Sequence, residues 1–419
     1  MYTIFRRTQS GFPVGNILLL RFGTPLSRAP EFSIRQLRAI LETMGMTINQ
    51  KAKRKIIPVA SGKGGAGKSL ITANLGLRLG SAGVRTVVVD MDLGGSNLHT
   101  YLGYRNKHKG LGNFLSDTKT GMRDIMVQTH IPDLRFVPGD VLVTGLSSPP
   151  PAVRKKLISA IESIEADVVL IDLGSGTTPL VIEMFLLSNS GLVVATPEAP
   201  SVLNAYSLLK NVLFRRLQEE FTTSKRISAY LREVQKEKTP GATPTLRDIA
   251  DGIQKIDKKS GNRARKAIAQ LKPHLVMNML TQAEDFRIAE SLRDLVDRNL
   301  GITLESLGAV FHDPACSIAV RALRPLTEFA PESIASTQIE RMAQKIAQSE
   351  NFPDMPLDLD EYESSFGLTA IEISMDSESF PSDTSSSVTG EARDEEFLEV
   401  ITQQKREIDQ LKGTIRTLT

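Results

Sequence analysis

The chain has 419 residues, of which 41% are hydrophobic and 24% charged, and its formal net charge is +3. This length suffices for one large α/β domain with appended segments, because a single core seldom grows beyond about 250 to 300 residues. The small net charge excludes a strong overall attraction to nucleic acid or acidic lipid, and the single cysteine, Cys316, excludes an intrachain disulfide. A single cysteine fits a reducing cytoplasm, where we expect this protein. No apolar run approaches the roughly 20 residues of a membrane-spanning helix.

Residues 1–50 are predicted to be an N-terminal extension. Apolar residues at helical spacing, with Ser33 as a capping residue, predict a short amphipathic helix over residues 32–44. From residue 51 the pattern becomes a regular alternation of strand, loop and helix, which predicts a folded domain over residues 51–350.

A glycine-rich loop follows the first predicted strand, residues 56–60, and precedes a predicted helix over residues 70–79. It matches the phosphate-loop pattern G-x-x-x-x-G-K-[ST]. Glycines allow positive φ, so the backbone can turn its N–H groups towards an anion, and the start of the helix adds its dipole. The sequence therefore predicts that a nucleoside triphosphate binds at Gly62, Lys63, Gly64, Gly65, Ala66, Gly67, Lys68, Ser69 and Leu70.

Two of these loop residues have predicted chemical roles. Lys68 is expected to bridge the β- and γ-phosphate oxygens, as the lysine of this pattern does. Ser69 is expected to offer its hydroxyl to Mg²⁺, an ion that keeps several waters and takes few protein ligands. A nucleoside triphosphate with Mg²⁺ is the ligand that follows from the loop; the resemblance described below implies that this triphosphate is ATP.

Two further predicted strands end in carboxylates. The β-branched run over residues 86–89 precedes Asp90 and Asp92, and the apolar run over residues 168–171 precedes Asp172 in a Walker B arrangement. The carboxyl ends of parallel strands meet at one edge of a sheet, where ligands of α/β proteins bind. We expect these carboxylates beside the phosphate loop, with Asp172 near the Mg²⁺.

The run from Lys63 to Ser69 resembles the deviant phosphate loop of the MinD/ParA family of ATPases, and the D-x-D segment from Asp90 to Leu98 resembles that family's second motif. The resemblance covers residues 55–350. It implies a doubly wound, mainly parallel α/β sheet of the P-loop NTPase kind. It also implies that Asp90 helps to hold the water shell of Mg²⁺ and that Asp92 positions and activates the attacking water.

The resemblance gives Lys63 a role beyond the general loop pattern. In the family this extra lysine reaches across a dimer interface to the phosphates bound by the partner. Lys63 would then supply positive charge as the transition state develops, so hydrolysis would need two subunits. The alternative interpretation is a solvated loop lysine. The predicted catalytic residues are Lys63, Lys68 and Asp92.

Two later elements complete the resemblance. The Thr196-Pro197-Glu198 corner resembles a family element that precedes a helix packed toward the dimer face. Asn278, at the end of a predicted strand over residues 274–279, resembles the family asparagine that hydrogen-bonds adenine, and an amide can pair with both the amino group and a ring nitrogen of that base. Adenine is favoured over guanine because the sequence contains no N-K-x-D pattern.

The chain departs from the family pattern at residues 218–271. This stretch is longer than a usual crossover, is rich in lysine and arginine, and predicts a basic helical insertion. A basic face could meet nucleic acid or anionic lipid, and a solvated helical surface explains the composition equally well.

The C-terminal part divides into two predicted segments. Residues 351–393 are rich in Ser, Asp and Glu with few large apolar residues, which predicts an acidic, disordered linker. Apolar residues at helical spacing then predict an amphipathic or coiled-coil helix over residues 394–419. A coiled coil or partner helix fits its mixed charge better than a lipid anchor does.

The D-L-G-x-G form of the Walker B strand and the T-P-E corner look most like the MinD and FlhG branch. That branch implies an ATP-dependent homodimer that positions division or flagellar machinery, with slow hydrolysis stimulated by a protein partner and a polar or peripheral membrane location. Gln36-Leu37-Arg38 does not reproduce the D-Q-A-x-x-L-R element of FlhG.

The alternative functions are a DNA-partition ATPase of the ParA type and a weakly hydrolysing scaffold that acts through its coiled coil. An iron–sulfur carrier would need a Cys-x-x-Cys pair, which the sequence lacks.

Overall fold

The computed structural model of the chain describes residues 54–105, 108–139, 149–236, 244–349 and 364–379. Within them, eight strands form one sheet. The strands are β1 (Lys55–Ser61), β2 (Thr86–Met91), β3 (Val127–Gln128), β4 (Leu134–Val137), β5 (Val168–Ser175), β6 (Leu192–Ala195), β7 (His274–Leu280) and β8 (Glu305–Phe311). Their spatial order is β3-β4-β2-β5-β1-β6-β7-β8, and every neighbouring pair is parallel except β3 with β4. This sheet confirms the predicted fold class.

Helices cover both faces of the sheet. They are α1 (Lys68–Ser81), α2 (Leu98–Tyr101), α3 (Leu111–Ser116), α4 (Pro151–Glu162), α5 (Pro179–Phe185), α6 (Ala199–Glu220), α7 (Lys225–Lys236), α8 (Leu246–Ile256), α9 (Lys258–Ala269), α10 (Arg287–Leu300), α11 (Pro314–Arg321), α12 (Leu326–Phe329), α13 (Ile334–Gln348) and α14 (Ser365–Ser379). Short 3-10 helices lie at Met122–Ile125 and Ala283–Phe286.

The central strand β5 shows why the chain folds this way. Its first six residues are all buried, because alternate side chains enter two separate apolar clusters on the two sides of the sheet. Val169 and Ile171 pack into one cluster, and Val168 and Leu170 into the other. A continuous apolar run of this kind is typical of a parallel strand covered on both faces.

The predicted basic insertion consists of helices α7, α8 and α9. Its contacts with the rest of the domain involve the C-terminal ends of two helices: Arg263 binds Glu220 at the end of α6, and Arg247 lies 3.8 Å from Asp297 near the end of α10. Those ends lie beside the amino ends of the parallel strands. The insertion therefore sits at the edge of the sheet opposite the phosphate loop.

One part of the predicted linker is instead an ordered helix. Helix α14 packs along β8, the edge strand of the sheet, and buries Phe366 and Ile373 in the core. Two ion pairs between α14 and α13, one of them partly exposed, reinforce the contact. The prediction of a disordered linker is therefore wrong for residues 365–379, because their few apolar residues cover an otherwise open sheet edge.

Two predicted elements lie outside the described residues. These are the helix over residues 32–44 and the helix over residues 394–419, together with the remaining parts of the predicted linker. Among the helices that the structure does describe, none combines the length and apolar character needed to cross a membrane.

Candidate nucleotide-binding site

The glycine loop joins β1 to α1 and packs closely against two other elements. Gly65 and Gly67 have φ values of 85° and 87°, a region that L side chains rarely adopt. A Cβ atom on Gly62 would lie 2.2 Å from the backbone carbonyl carbon of Asn204, and one on Gly67 would lie 2.1 Å from Nδ2 of Asn278. The loop backbone is thus fixed between α6 and β7, and only glycine fits at these points.

The start of α1 is prepared to receive an anion. No side chain caps this end of the helix, so the N–H groups of its first turn are not used by a capping residue. Lys68, the first residue of α1, keeps only 7% of its surface exposed. A buried ammonium group beside a helix N-terminus favours a phosphate ligand.

Two buried carboxylates lie beside the loop on neighbouring strands. Asp90 at the end of β2 is the register partner of Asp172 on β5, and each is 1% exposed. Asp90 accepts hydrogen bonds from the Ser96 hydroxyl at 2.6 Å and from the Leu98 and Asp92 N–H groups at 3.2 Å each. Oδ1 of Asp172, by contrast, has no hydrogen-bond partner among the described residues.

Both carboxyl groups resist ionisation in this environment. Burial raises the pKa of Asp90 to about 6. Burial and then the negative charge of Asp90 raise the pKa of Asp172 to about 7, although Lys68 and Ser69 act in the opposite direction. A buried carboxylate oxygen without a partner, close to a second carboxylate and a serine hydroxyl, fits a hard divalent cation with oxygen ligands. Ser69, Asp90 and Asp172 therefore fit the predicted Mg²⁺ site.

A cavity of about 680 Å³ opens from the loop. Its lining includes loop residues 64, 65 and 67–70, together with Asp92 and Ser175. It also includes residues 311–314 and, on α11, Cys316, Ser317, Val320 and Arg321. The half-buried carboxylate of Asp92 lies against Gly174, where a Cβ atom would be 3.4 Å from Oδ1. The structure thus brings Lys68, Ser69 and Asp92 into one cavity.

Lys63 occupies a different position from the other loop residues. It is exposed and is not among the residues that line the cavity of its own chain. Its Nζ lies 3.5 Å from Oε2 of Glu198, just before α6, and both side chains are more than half exposed. The sequence comparison pointed to the Thr196-Pro197-Glu198 corner but did not predict this ion pair.

Asn278 lies directly against the loop. It is 4% exposed, and its Nδ2 donates a hydrogen bond to the carbonyl oxygen of Ala66 at 2.8 Å. It also lines the cavity, as the predicted contact with adenine requires. The structure adds a role that the sequence did not predict, since this amide holds the phosphate loop.

Several residues of the site were missed in the sequence. Ser96, which binds Asp90, and Asn204, which packs on Gly62, carry no motif of their own. The segment from Phe311 to Arg321 also lines the cavity, and it follows β8 at the edge where ligands bind in such sheets. The position of this segment after the last strand was the feature from which the sequence could have predicted its place in the site.

The mainly parallel sheet and its glycine loop give the chain the fold of the P-loop NTPases. A family model described as "ParA: NUBPL iron-transfer P-loop NTPase" matches residues 52–213. Residues 52–213 are thus similar to the ParA family of P-loop NTPases, and FleN, YlxH and MinD proteins are among the relatives of the chain.

Three similar proteins illustrate this relationship. The antiactivator FleN of Pseudomonas aeruginosa is 25% identical over 298 residues, which cover 70% of this chain and 86% of FleN. The flagellum site-determining protein YlxH of Helicobacter pylori is 28% identical over 173 residues, 39% of this chain and 55% of YlxH, so the match spans about half of that protein. A solved structure of the septum site-determining protein MinD from Pyrococcus horikoshii, complexed with Mg-ADP, is 20% identical, covers 70% of this chain and 96% of that one, and has a TM-score of 0.49.

Proposed function

We propose that the chain binds and slowly hydrolyses ATP with Mg²⁺ and acts as an ATP-dependent dimerisation switch. The observation that carries this proposal is the pairing of Asp90 with Asp172, whose Oδ1 has no hydrogen-bond partner among the described residues, beside Lys68 and Ser69, while Lys63 lies outside its own cavity. Asp90, Asp172, Lys68 and Ser69 together fit one Mg²⁺-bound triphosphate. Lys63, outside this cavity, leaves its ammonium group for the nucleotide of a neighbouring molecule.

The predicted site residues each have a role that their positions support. The N–H groups of the loop and the ammonium of Lys68 bind phosphate oxygens, and Ser69, Asp90 and Asp172 hold the ion and its water shell. Mg²⁺, when bound, would neutralise charge that develops on the phosphates. Asp92 is half-buried in the same cavity, where its carboxylate can orient a water molecule for attack.

Lys63 is proposed to act on the nucleotide of a second copy. Its ion pair with Glu198 is exposed, and exposed pairs contribute only about 0 to 1 kcal/mol, so a doubly or triply charged phosphate can replace the carboxylate. A lysine supplied by the partner adds positive charge where the transition state needs it. Hydrolysis then depends on the paired state.

The relatives suggest what the switch controls. FleN is described as an antiactivator and YlxH as a flagellum site-determining protein. We propose that this chain likewise sets the position of cellular machinery, division or flagellar, and that a protein partner stimulates its hydrolysis.

Iron transfer, as in the description of the matching family, has less support, because burial and then Asp313 raise the pKa of the lone Cys316 to about 12. A thiol that stays protonated is a poor metal ligand.

The direct test is phosphate release measured over a hundredfold range of protein concentration. Specific activity should fall on dilution, because the active species is a pair. Lys68→Ala should abolish ATP binding, whereas Lys63→Ala should retain ATP binding and lose hydrolysis. A specific activity that stays constant on dilution would reject the two-subunit mechanism without rejecting ATP binding.

One observation also favours the partition-type alternative. Lys255, Lys258, Lys259 and Lys266 are exposed on α8 and α9, and none forms an ion pair with another described residue. Such a face could bind DNA phosphates, and binding should then weaken steeply as salt rises. DNA binding that requires ATP and is lost on charge reversal of these lysines would favour partition over positioning.

A further inference from the structure

Two non-glycine residues among the described ones have positive φ, Met279 at 63° and Leu323 at 49°. This conformation is unfavourable for an L side chain and persists only where something else stabilises it. The two residues are similarly exposed, at 39% and 38%. They differ in what surrounds them.

The conformation of Leu323 is explained by the end of a helix. The Leu323 N–H donates to the Val320 carbonyl at 3.1 Å and the Arg324 N–H to the Ala319 carbonyl at 3.0 Å. This pair of hydrogen bonds is the Schellman arrangement, in which the residue after the helix takes the left-handed conformation. Leu323 therefore terminates α11 and needs no further explanation.

No helix end explains Met279, which lies within β7. Asn278 pairs with Val310 and Leu280 pairs with Phe311, so the pairing of β7 with β8 skips Met279. This bulge turns a large apolar side chain out of a strand whose other residues are buried. The side chain enters the cavity beside the phosphate loop, with its methyl carbon 3.9 Å from the point where a Cβ atom of Gly67 would lie.

We propose that Met279 is an apolar platform for the purine base of the bound nucleotide, an inference that rests on the proposed nucleotide-binding function. A thioether offers phosphate oxygens neither a proton nor a positive charge, so Met279 cannot serve the triphosphate. The base is the one large apolar surface of a nucleoside triphosphate, and sulfur packs favourably against aromatic rings. Asn278, the preceding residue, also lines the cavity, and its amide nitrogen donates to the loop carbonyl of Ala66.

The test compares Met279→Gly with the matched control Leu323→Gly in the full chain. Glycine tolerates positive φ, so both variants should unfold at a temperature no lower than the unmodified chain. Calorimetric titration should show that Met279→Gly weakens ATP binding about fivefold but leaves binding of inorganic tripolyphosphate unchanged. Leu323→Gly should change neither.

Three outcomes would overturn the proposal. ATP affinity could be unchanged in Met279→Gly, ATP and tripolyphosphate could be weakened equally, or Met279→Gly could unfold at a lower temperature, which would mean that the side chain serves packing. Failure of the proposed function is a separate result, because the unmodified chain would then bind neither ATP nor tripolyphosphate.

Discussion

Asp90 and Asp172 lie side by side as register partners on the parallel strands β2 and β5, and each is 1% exposed. Two carboxyl groups placed this way destabilise the empty site, because burial and mutual repulsion oppose ionisation. A divalent cation would remove both effects at once. The same pair therefore links metal binding, pH and the stability of the fold.

The first prediction concerns stability without Mg²⁺. Burial raises the pKa values of Asp90 and Asp172 to about 6 and about 7, so between about pH 4 and 7 the folded chain binds more protons than the unfolded chain. The free energy of unfolding must then fall as the pH rises through this window. Asp172→Asn should remove most of the slope and stabilise the metal-free chain at pH 8, by about 1.4 kcal/mol for each unit of pKa shift removed.

Urea unfolding in EDTA at pH 5 and pH 8 measures this slope. Mg²⁺ should restore stability at pH 8 to the unmodified chain but not to Asp172→Asn. Glu165→Gln is the control, since Glu165 is an exposed carboxylate whose replacement should leave the slope unchanged. An equal slope in the unmodified chain and Asp172→Asn would contradict the prediction.

The second prediction concerns the close packing of the loop. In Gly62→Ala the new methyl group would lie 2.2 Å from the Asn204 carbonyl carbon, and backbone atoms cannot move aside cheaply. We expect a loss of about 1 to 3 kcal/mol in stability and loss of ATP binding. Gly64→Ala is the matched control for stability alone, because Gly64 itself lines the nucleotide cavity and the nearest atom to its methyl group would be Oγ of Ser175 at 3.7 Å. Thermal unfolding of both variants decides the point, and equal unfolding temperatures would show that α6 does not restrain the loop.

The third prediction separates the two roles of Asn278. Asn278→Ala removes the hydrogen bond to Ala66 and leaves a buried carbonyl oxygen unpaired, so ATP and tripolyphosphate should both bind about tenfold more weakly. If the amide also contacts adenine, the preference for ATP over GTP should fall in the same variant. Asn211→Ala, which changes an exposed amide on α6, should affect neither. Unchanged tripolyphosphate binding would mean that Asn278 does not support the loop.

The sequence predicted the sheet and the place of the glycine loop between its first strand and the following helix, because both depend on local patterns. The apolar runs before Asp90 and Asp172 indicate buried parallel strands, and their carboxyl ends must meet at the edge that carries the loop. The strained conformation of Met279 could not be predicted in this way. It arises from the pairing of β7 with β8, and no local residue pattern encodes it.

Helix α14 was missed for a related reason. The composition around it is acidic and poor in apolar residues, which is typical of disorder. Two of its acidic residues are instead paired: Asp376 binds Arg341, and Glu372 binds Lys345. Both basic partners lie about 30 residues earlier on α13, so local composition could not reveal that these charges are neutralised in contact with the core.

The fourth prediction tests that contact. Oδ2 of Asp376 accepts hydrogen bonds from Nε2 of Gln338 at 2.8 Å and from Arg341 at 3.1 Å, and its Oδ1 accepts one from Arg341 at 2.9 Å. Asp376→Ala would leave the buried Gln338 amide without its acceptor and the partly exposed Arg341 without its counterion. We expect a loss of about 2 kcal/mol in the free energy of unfolding.

Glu378→Ala supplies the control, because Glu378 lies two residues further along the same helix and is exposed. Its replacement should change the stability by less than about 0.5 kcal/mol. Urea unfolding measures both values, and hydrogen exchange should show faster exchange in α14 of Asp376→Ala only. If residues 365–379 were the disordered linker that their composition suggests, both substitutions would be neutral and the α14 amides would exchange rapidly even in the unmodified chain.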